Sequence, residues 1–212
     1  MTVAHETIIR PSLPASLQRF EREFLPISYV PDAYFKEIAL GAFTGWTSLD
    51  EMVGGFRKGE LTVITGDTAV GKTTFSLQLL YNLACKNHPI WINSYEMAPK
   101  VIFRKLASFA LKKLMKYESF SSEEQKVIFE HFEKNRCFLN QALSGADMTT
   151  LHAQLERAAY FRIFAVLLDH LDFLTPAIHR PNRHEEIQEI MHGLHLLAMK
   201  FDVHIFVIVH PK

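Results

Sequence analysis

The sequence predicts an α/β fold in which a parallel β-sheet carries helices on both faces. Three observations lead there. The β-branched run Leu61–Thr65 passes directly into a glycine-rich loop and then a helical pattern. Two further apolar runs, Ile163–Leu168 and Val203–Val209, are short and uninterrupted, as strands buried on both faces are. Amphipathic helical patterns separate the strand patterns, and parallel neighbours need such crossovers. The 212 residues, 48% hydrophobic and 22% charged, suffice for one sizeable domain with its own core.

Residues 1–40 contain Pro11, Pro14, Pro26 and Pro31, a spacing that suits an arm or linker with one short helix, Ala15–Phe24. Leu17, Phe20 and Phe24 form a stripe on it, to pack on its own domain or on a neighbouring subunit. The core is expected over residues 41–212. Thr47–Asp50 starts a short helix with Leu49, Met52 and Val53 inward, ended by Gly54-Gly55. Leu61–Thr65 is a buried strand, and the helix after it presents Phe75, Leu79 and Leu80 on one face. Pro89–Ser94 is the second strand. Val101–Leu114 and Ser122–Lys134 are amphipathic helices, the latter opened by Ser121 or Ser122 with Glu124. Arg136–Leu139 is a short strand, and Met148–Tyr160 a helix opened by Asp147. Ile163–Leu168 is a central strand. Thr175–Arg183 is a loop with two prolines. Glu185–Lys200 is a helix with Ile187, Ile190, Met191, Leu194 and Leu197 inward. Val203–Val209 closes the strand set, and His210-Pro211-Lys212 follows it. Crossovers are expected to be right-handed. There is no fixed-period repeat and no low-complexity tract.

The formal net charge is zero, which neither supports nor excludes a nucleic-acid partner. Cys85 and Cys137 do not make a disulfide framework, and a reducing compartment suits them. No apolar run reaches membrane-spanning length, so no membrane partner is expected. The first residues, with Glu6 and no apolar h-region, make a poor signal or transit peptide. A cytoplasmic location is the expectation, with the mitochondrial matrix disfavoured.

Gly66-Asp67-Thr68-Ala69-Val70-Gly71-Lys72-Thr73 reads G-x-x-x-x-G-K-T, the Walker A phosphate-binding pattern. A glycine-containing surface loop is the bland alternative, but it would not require a strand before and a helix after. Polyphosphate needs donors fixed before it binds, and backbone N–H groups wrapped around it supply them. Gly66 and Gly71 permit backbone angles and close approach that a Cβ would block. The helix begins at the phosphates, so its unpaired N–H groups face the anion. Lys72 brings a point charge, the Thr73 hydroxyl is a magnesium ligand, and the Thr74 backbone reaches the α-phosphate.

Three residues stand at the carboxyl ends of other strands, the side of a parallel sheet where ligands bind. Glu96 could polarise the water that attacks a γ-phosphate, or serve as an acid before a helix. Asp169 ends an apolar strand, the second magnesium-ligand position of phosphate-loop ATPases; a strand-end turn residue is the alternative. Asp172 reads more readily as a turn residue. His210 could sense the γ-phosphate through a hydrogen bond, or have no role. The chain has 11 histidines. Neither His192 with His195 nor His179 with His184 makes a structural-zinc set, since no acid or cysteine cluster accompanies them.

The lead-in T-G-x-x-S-L-D-x-x-x-G-G-x-x-x-G-E-L-T-V-I-T-G, over Thr44–Gly66, is similar to that of RecA-like ATPase cores. These include recombinases, circadian-clock ATPases and hexameric replicative helicases. SYEMAPKVIFRKLAS, with Glu96 and Arg104, resembles the segment after the second strand of DnaB-like and Twinkle-like helicases. VLLDHLDFL and VHIFVIVHPK look like the next two motifs of the Twinkle-type branch, where His-Pro-basic replaces the glutamine of bacterial DnaB. The resemblance covers about Gly41 to Lys212. It implies a P-loop, RecA-like fold and a helicase motor that hydrolyses ATP or another NTP with Mg2+ to move along single-stranded DNA. Lys72, Thr73 and Thr74 match the phosphate-loop residues, Glu96 the water-activating glutamate, Asp169 the magnesium aspartate and His210 the γ-phosphate sensor. The family's sites form between subunits of a homo-hexamer. Its DNA-binding loops and arginine finger lie downstream of the His-Pro-basic motif. This chain is therefore expected to be an incomplete core that turns over slowly alone, with no primase or zinc-binding domain before it. A RecA-like recombination or regulatory ATPase, or a nucleotide-binding remnant without motor activity, are the alternatives.

Overall fold

The computed structural model describes residues 41–114, 119–140, 147–174 and 183–210. The expected arm helix Ala15–Phe24, the loop at 175–182 and Pro211-Lys212 lie outside the described residues. The chain divides into two compact units, Met1–Ala39 and Leu40–Lys212, and every element described belongs to the second.

Five strands, β1 (Leu61–Thr65), β2 (Ile90–Ser94), β3 (Cys137–Leu139), β4 (Ala165–Asp169) and β5 (His204–Val209), form one sheet in the order β1-β5-β4-β2-β3. Every pairing is parallel. The helices are α1 (Thr47–Val53), α2 (Lys72–Cys85), α3 (Pro99–Leu111), α4 (Ser122–Asn135), α5 (Met148–Tyr160) and α6 (Arg183–Phe201), with a 3-10 turn at Leu171–Leu174. Strand bounds agree with the sequence to within two residues. Two helix starts carry the side-chain caps that the sequence marks. Ser121 and Glu124 complete a capping box at α4, and the Asp147 side chain accepts from the Thr150 N–H at α5.

Strand periodicity sorts the core onto two faces. Ala165, Leu167, Phe206 and Ile208 pack with Leu77, Leu80, Leu83, Ile102 and Leu106 of α2 and α3. Val166, Leu168, Ile205 and Val207 pack with Leu151 and Leu155 of α5 and Leu194 and Ala198 of α6. Every residue of β4 is buried, as a central parallel strand covered on both sides requires.

Three expectations about facing need correction. β1 is not a buried strand: it pairs only with β5 among the described residues, and Val63 is 45% exposed. Phe75 points outward from α2 and stacks on Trp46 at 5.3 Å, while Leu77 takes the inward position. In α1, Leu49 packs on the core as expected, but Met52 is 81% exposed and Val53 is also outside, and the buried residue is Asp50. Its carboxylate accepts from the Thr44 N–H at 2.7 Å, the Thr44 hydroxyl at 2.8 Å and the Gly45 N–H at 2.7 Å. Burial pushes this carboxyl up, but the donors of Thr44 and Gly45 outweigh that and hold it below its ordinary value. A two-turn helix follows its best-satisfied polar anchor rather than its weak apolar stripe.

His204 opens β5 buried under the lead-in. Its Nδ1 donates to the Arg57 carbonyl at 2.6 Å, and its Nε2 accepts from the Thr62 hydroxyl at 2.9 Å, an assignment that holds for the neutral ring. Burial is the main cause that holds this imidazole below its ordinary pKa, against the opposing pull of the Arg57 carbonyl and Glu60. The folded state therefore keeps the ring neutral, and the unfolded chain takes up the proton. Stability from this ring is present above about pH 6.5 and is lost as pH falls below it. Denaturation at pH 7.5 and pH 5.5 should show a loss on acidification that is smaller in His204→Gln than in the wild type.

Candidate nucleotide site

Parallel pairing puts the carboxyl ends of β1, β2, β4 and β5 at one rim, and the chemistry-bearing residues collect there. The loop after β1 turns at Gly71, whose φ of 97° suits glycine, and α2 begins at Lys72 with no side chain capping it. The first-turn N–H groups of α2 thus point out of the helix end toward the loop. Asp67, Thr68, Ala69 and Val70 are exposed around this turn. The Lys72 side chain is buried along the loop, and its ammonium donates to the Gly66 carbonyl at 2.6 Å and the Asp67 carbonyl at 2.8 Å. The Thr74 hydroxyl accepts from the Lys105 ammonium at 3.1 Å.

Asp169, at the tip of β4, is 0% exposed. Its Oδ2 accepts from the Thr73 hydroxyl at 3.2 Å and from the Ser94 hydroxyl at 3.3 Å. Its Oδ1 is buried with no hydrogen-bond partner among the described residues. Burial is the first cause that raises its pKa, and the Glu96 carboxylate the second; Thr73, His170 and Ser94 pull the other way. A buried carboxylate beside a threonine hydroxyl, with one oxygen unmatched by any protein donor, fits a hard divalent cation that takes oxygen ligands.

Glu96 is exposed just beyond β2, three residues before α3. His170 Nε2 lies 4.0 Å from its Oε2, and His170 Nδ1 lies 3.6 Å from Asp172 Oδ2. The His170 and His210 rings meet edge to face at 4.5 Å. The structure thus brings together Lys72, Thr73, Asp169 and Glu96, and it sets His210 beside them through His170. Two members of this set escaped sequence reasoning. Ser94 reaches Asp169 because the two are register partners across β2 and β4, and no local pattern announces that pairing. His170 carried a signal, a polar residue directly after the strand-end acid, but its neighbours come from β2 and β5.

A family model described as "DnaB-like helicase C terminal domain" matches residues 41–210. The replicative DNA helicase DnaB of Haemophilus influenzae is 26% identical over 174 residues, covering 77% of this chain and 37% of that protein. The chain thus spans little more than a third of the length of that curated relative. Among solved structures, one described as an ATPase domain superimposes with a TM-score of 0.66 at 20% identity, over 81% of this chain and 64% of that one. A DnaB-like replicative helicase, described with its interactions with primase, gives a TM-score of 0.68 at 20% identity, over 95% and 50%. The fold is accordingly the RecA-like parallel sheet of helicase ATPase domains.

Burial and the Glu96 carboxylate both disfavour the ionised form of Asp169 in the fold, so its removal should stabilise the chain when no cation is present. Asp169→Asn is expected to gain about 1–3 kcal/mol in magnesium-free denaturation. Added magnesium with nucleotide should raise the wild type more than the variant, which keeps the phosphate loop and Lys72 but lacks the carboxylate.

Proposed function

The chain belongs to the family of DnaB-like helicase C-terminal domains, and from that membership we propose that it is the NTP-hydrolysing motor core of a replicative-type DNA helicase. The observation that carries the site assignment is the convergence of Thr73, Ser94 and Glu96 on the buried Asp169. Residues 41–212 are the motor core in this reading, and residues 1–40 an arm.

ATP or another NTP lays its phosphates along the Gly66–Thr74 loop. Lys72 then exchanges the Gly66 and Asp67 carbonyls for β- and γ-phosphate oxygens, which carry full charge where the carbonyls carry dipoles. Thr73 and Asp169 hold Mg2+, whose charge offsets that of the phosphates. Glu96 accepts a proton from the attacking water; its exposed position on the rim gives water access to it. His210 contacts the γ-phosphate and reports its loss to whatever follows β5.

Single-stranded DNA as the track and a homo-hexamer as the working assembly go with this reading. A bacterial or phage-encoded cytoplasmic protein goes with it too; no helix among the described residues is long and apolar enough to cross a membrane. The recombination and regulatory alternatives lose ground to the family membership.

Lys72→Ala should abolish nucleotide-dependent turnover, with and without single-stranded DNA. Turnover that persisted unchanged would end the assignment. Glu96→Gln separates chemistry from binding: ATP affinity should stay within about twofold while hydrolysis falls about 10²–10⁴-fold, the range for a lost general base.

A further inference from the structure

We propose that Glu96, His170 and His210 form a second cation site, distinct from the Thr73–Asp169 position, that takes a borderline transition ion of the Zn2+ or Co2+ type. Each offers one ligand atom, and these atoms all lie within 4.8 Å of one another. The three come from successive positions in the sheet, beyond β2, β4 and β5, so parallel pairing itself assembles them.

The donor set decides the ion. Two imidazoles and one carboxylate suit zinc, cobalt and nickel, whereas magnesium prefers an all-oxygen shell. A second observation supports ligation. His170 turns Nε2 toward Glu96 and Nδ1 toward the Asp172 carboxylate, 3.6 Å away. At 3.6 Å this is an approach rather than a hydrogen bond, and a small ring rotation would let the Asp172 carboxylate orient the imidazole as carboxylates do behind metal-ligating histidines. Asp169, Glu96 and Asp172 also make the surroundings negative, which favours a cation. Ligands about 2.0 Å from a tetrahedral ion stand about 3.3 Å apart. The 4.0 Å between His170 and Glu96 must therefore close by less than an ångström and the widest separation, up to 4.8 Å, by about 1.5 Å, through rotation of the exposed Glu96 side chain and of the half-buried imidazoles.

An ion held there would occupy the carboxylate assigned above to the attacking water and the histidine assigned to the γ-phosphate. That inhibitory consequence rests on the proposed helicase function, whereas the site rests on its three ligands alone.

Cobalt titration of the whole 212-residue chain, without nucleotide or magnesium, tests the site. One equivalent should produce the intense visible bands of a four- or five-coordinate ion. Zinc should bleach them and excess magnesium should not. His170→Ala and Glu96→Gln should each weaken cobalt binding at least about tenfold. Thermal melts of both variants show whether they remain folded, and His170→Asn repeats the test with a smaller change of volume. Absent bands, or an affinity unchanged in all three variants, would overturn the proposal and place any bound cobalt elsewhere, for example on His192 and His195. The titration contains no nucleotide, so its outcome is separate from that of the Lys72→Ala assay.

Discussion

A carboxylate buried at the end of a central strand governs this molecule. Asp169 sits where β4 emerges between β5 and β2, covered from both sides and from the rim. It is 0% exposed, and among the described residues protein donors satisfy only one of its oxygens. Everything else at the rim is arranged about that charge: the Thr73 and Ser94 hydroxyls against it, Glu96 near enough to raise its pKa, and His170 next in the chain. An apolar side chain would pack there at less cost. The tension is what one expects where binding rather than folding sets the residue.

The two core layers explain how such a charge is tolerated. Side chains of β4 and β5 alternate between the α2–α3 layer and the α5–α6 layer, so the central strands are clamped from both faces. A small local penalty at one strand tip is then set against extensive apolar burial along the rest of the strand. The phosphate loop shows the complementary arrangement. Lys72 satisfies its ammonium on two loop carbonyls, which keeps the charge placed and lets stronger acceptors displace them.

His170 gives the rim its connectivity. It touches the environment of Glu96 on one side, faces Asp172 on another and meets the His210 ring edge on. Residues from β2, β4 and β5 are thereby linked through one imidazole.

Much of this was legible in the sequence because its causes are local. A strand, a G-x-x-x-x-G-K-T turn and a helix lie within one continuous stretch, and their chemistry follows from residue types at fixed spacing. The tips of apolar runs marked Glu96, Asp169 and His210 for the same reason. Facing is less legible: the short stripes that include Met52, Val53 and Phe75, and the apolar run through Val63, do not say what covers them, and all four residues are exposed. Strand order, the Ser94–Asp169 register pair and the meeting of Glu96, His170 and His210 were decided by the tertiary structure alone. Those depend on which strand pairs with which, and pairing energy is shared among side chains far apart in the chain, so no single window of sequence contains it.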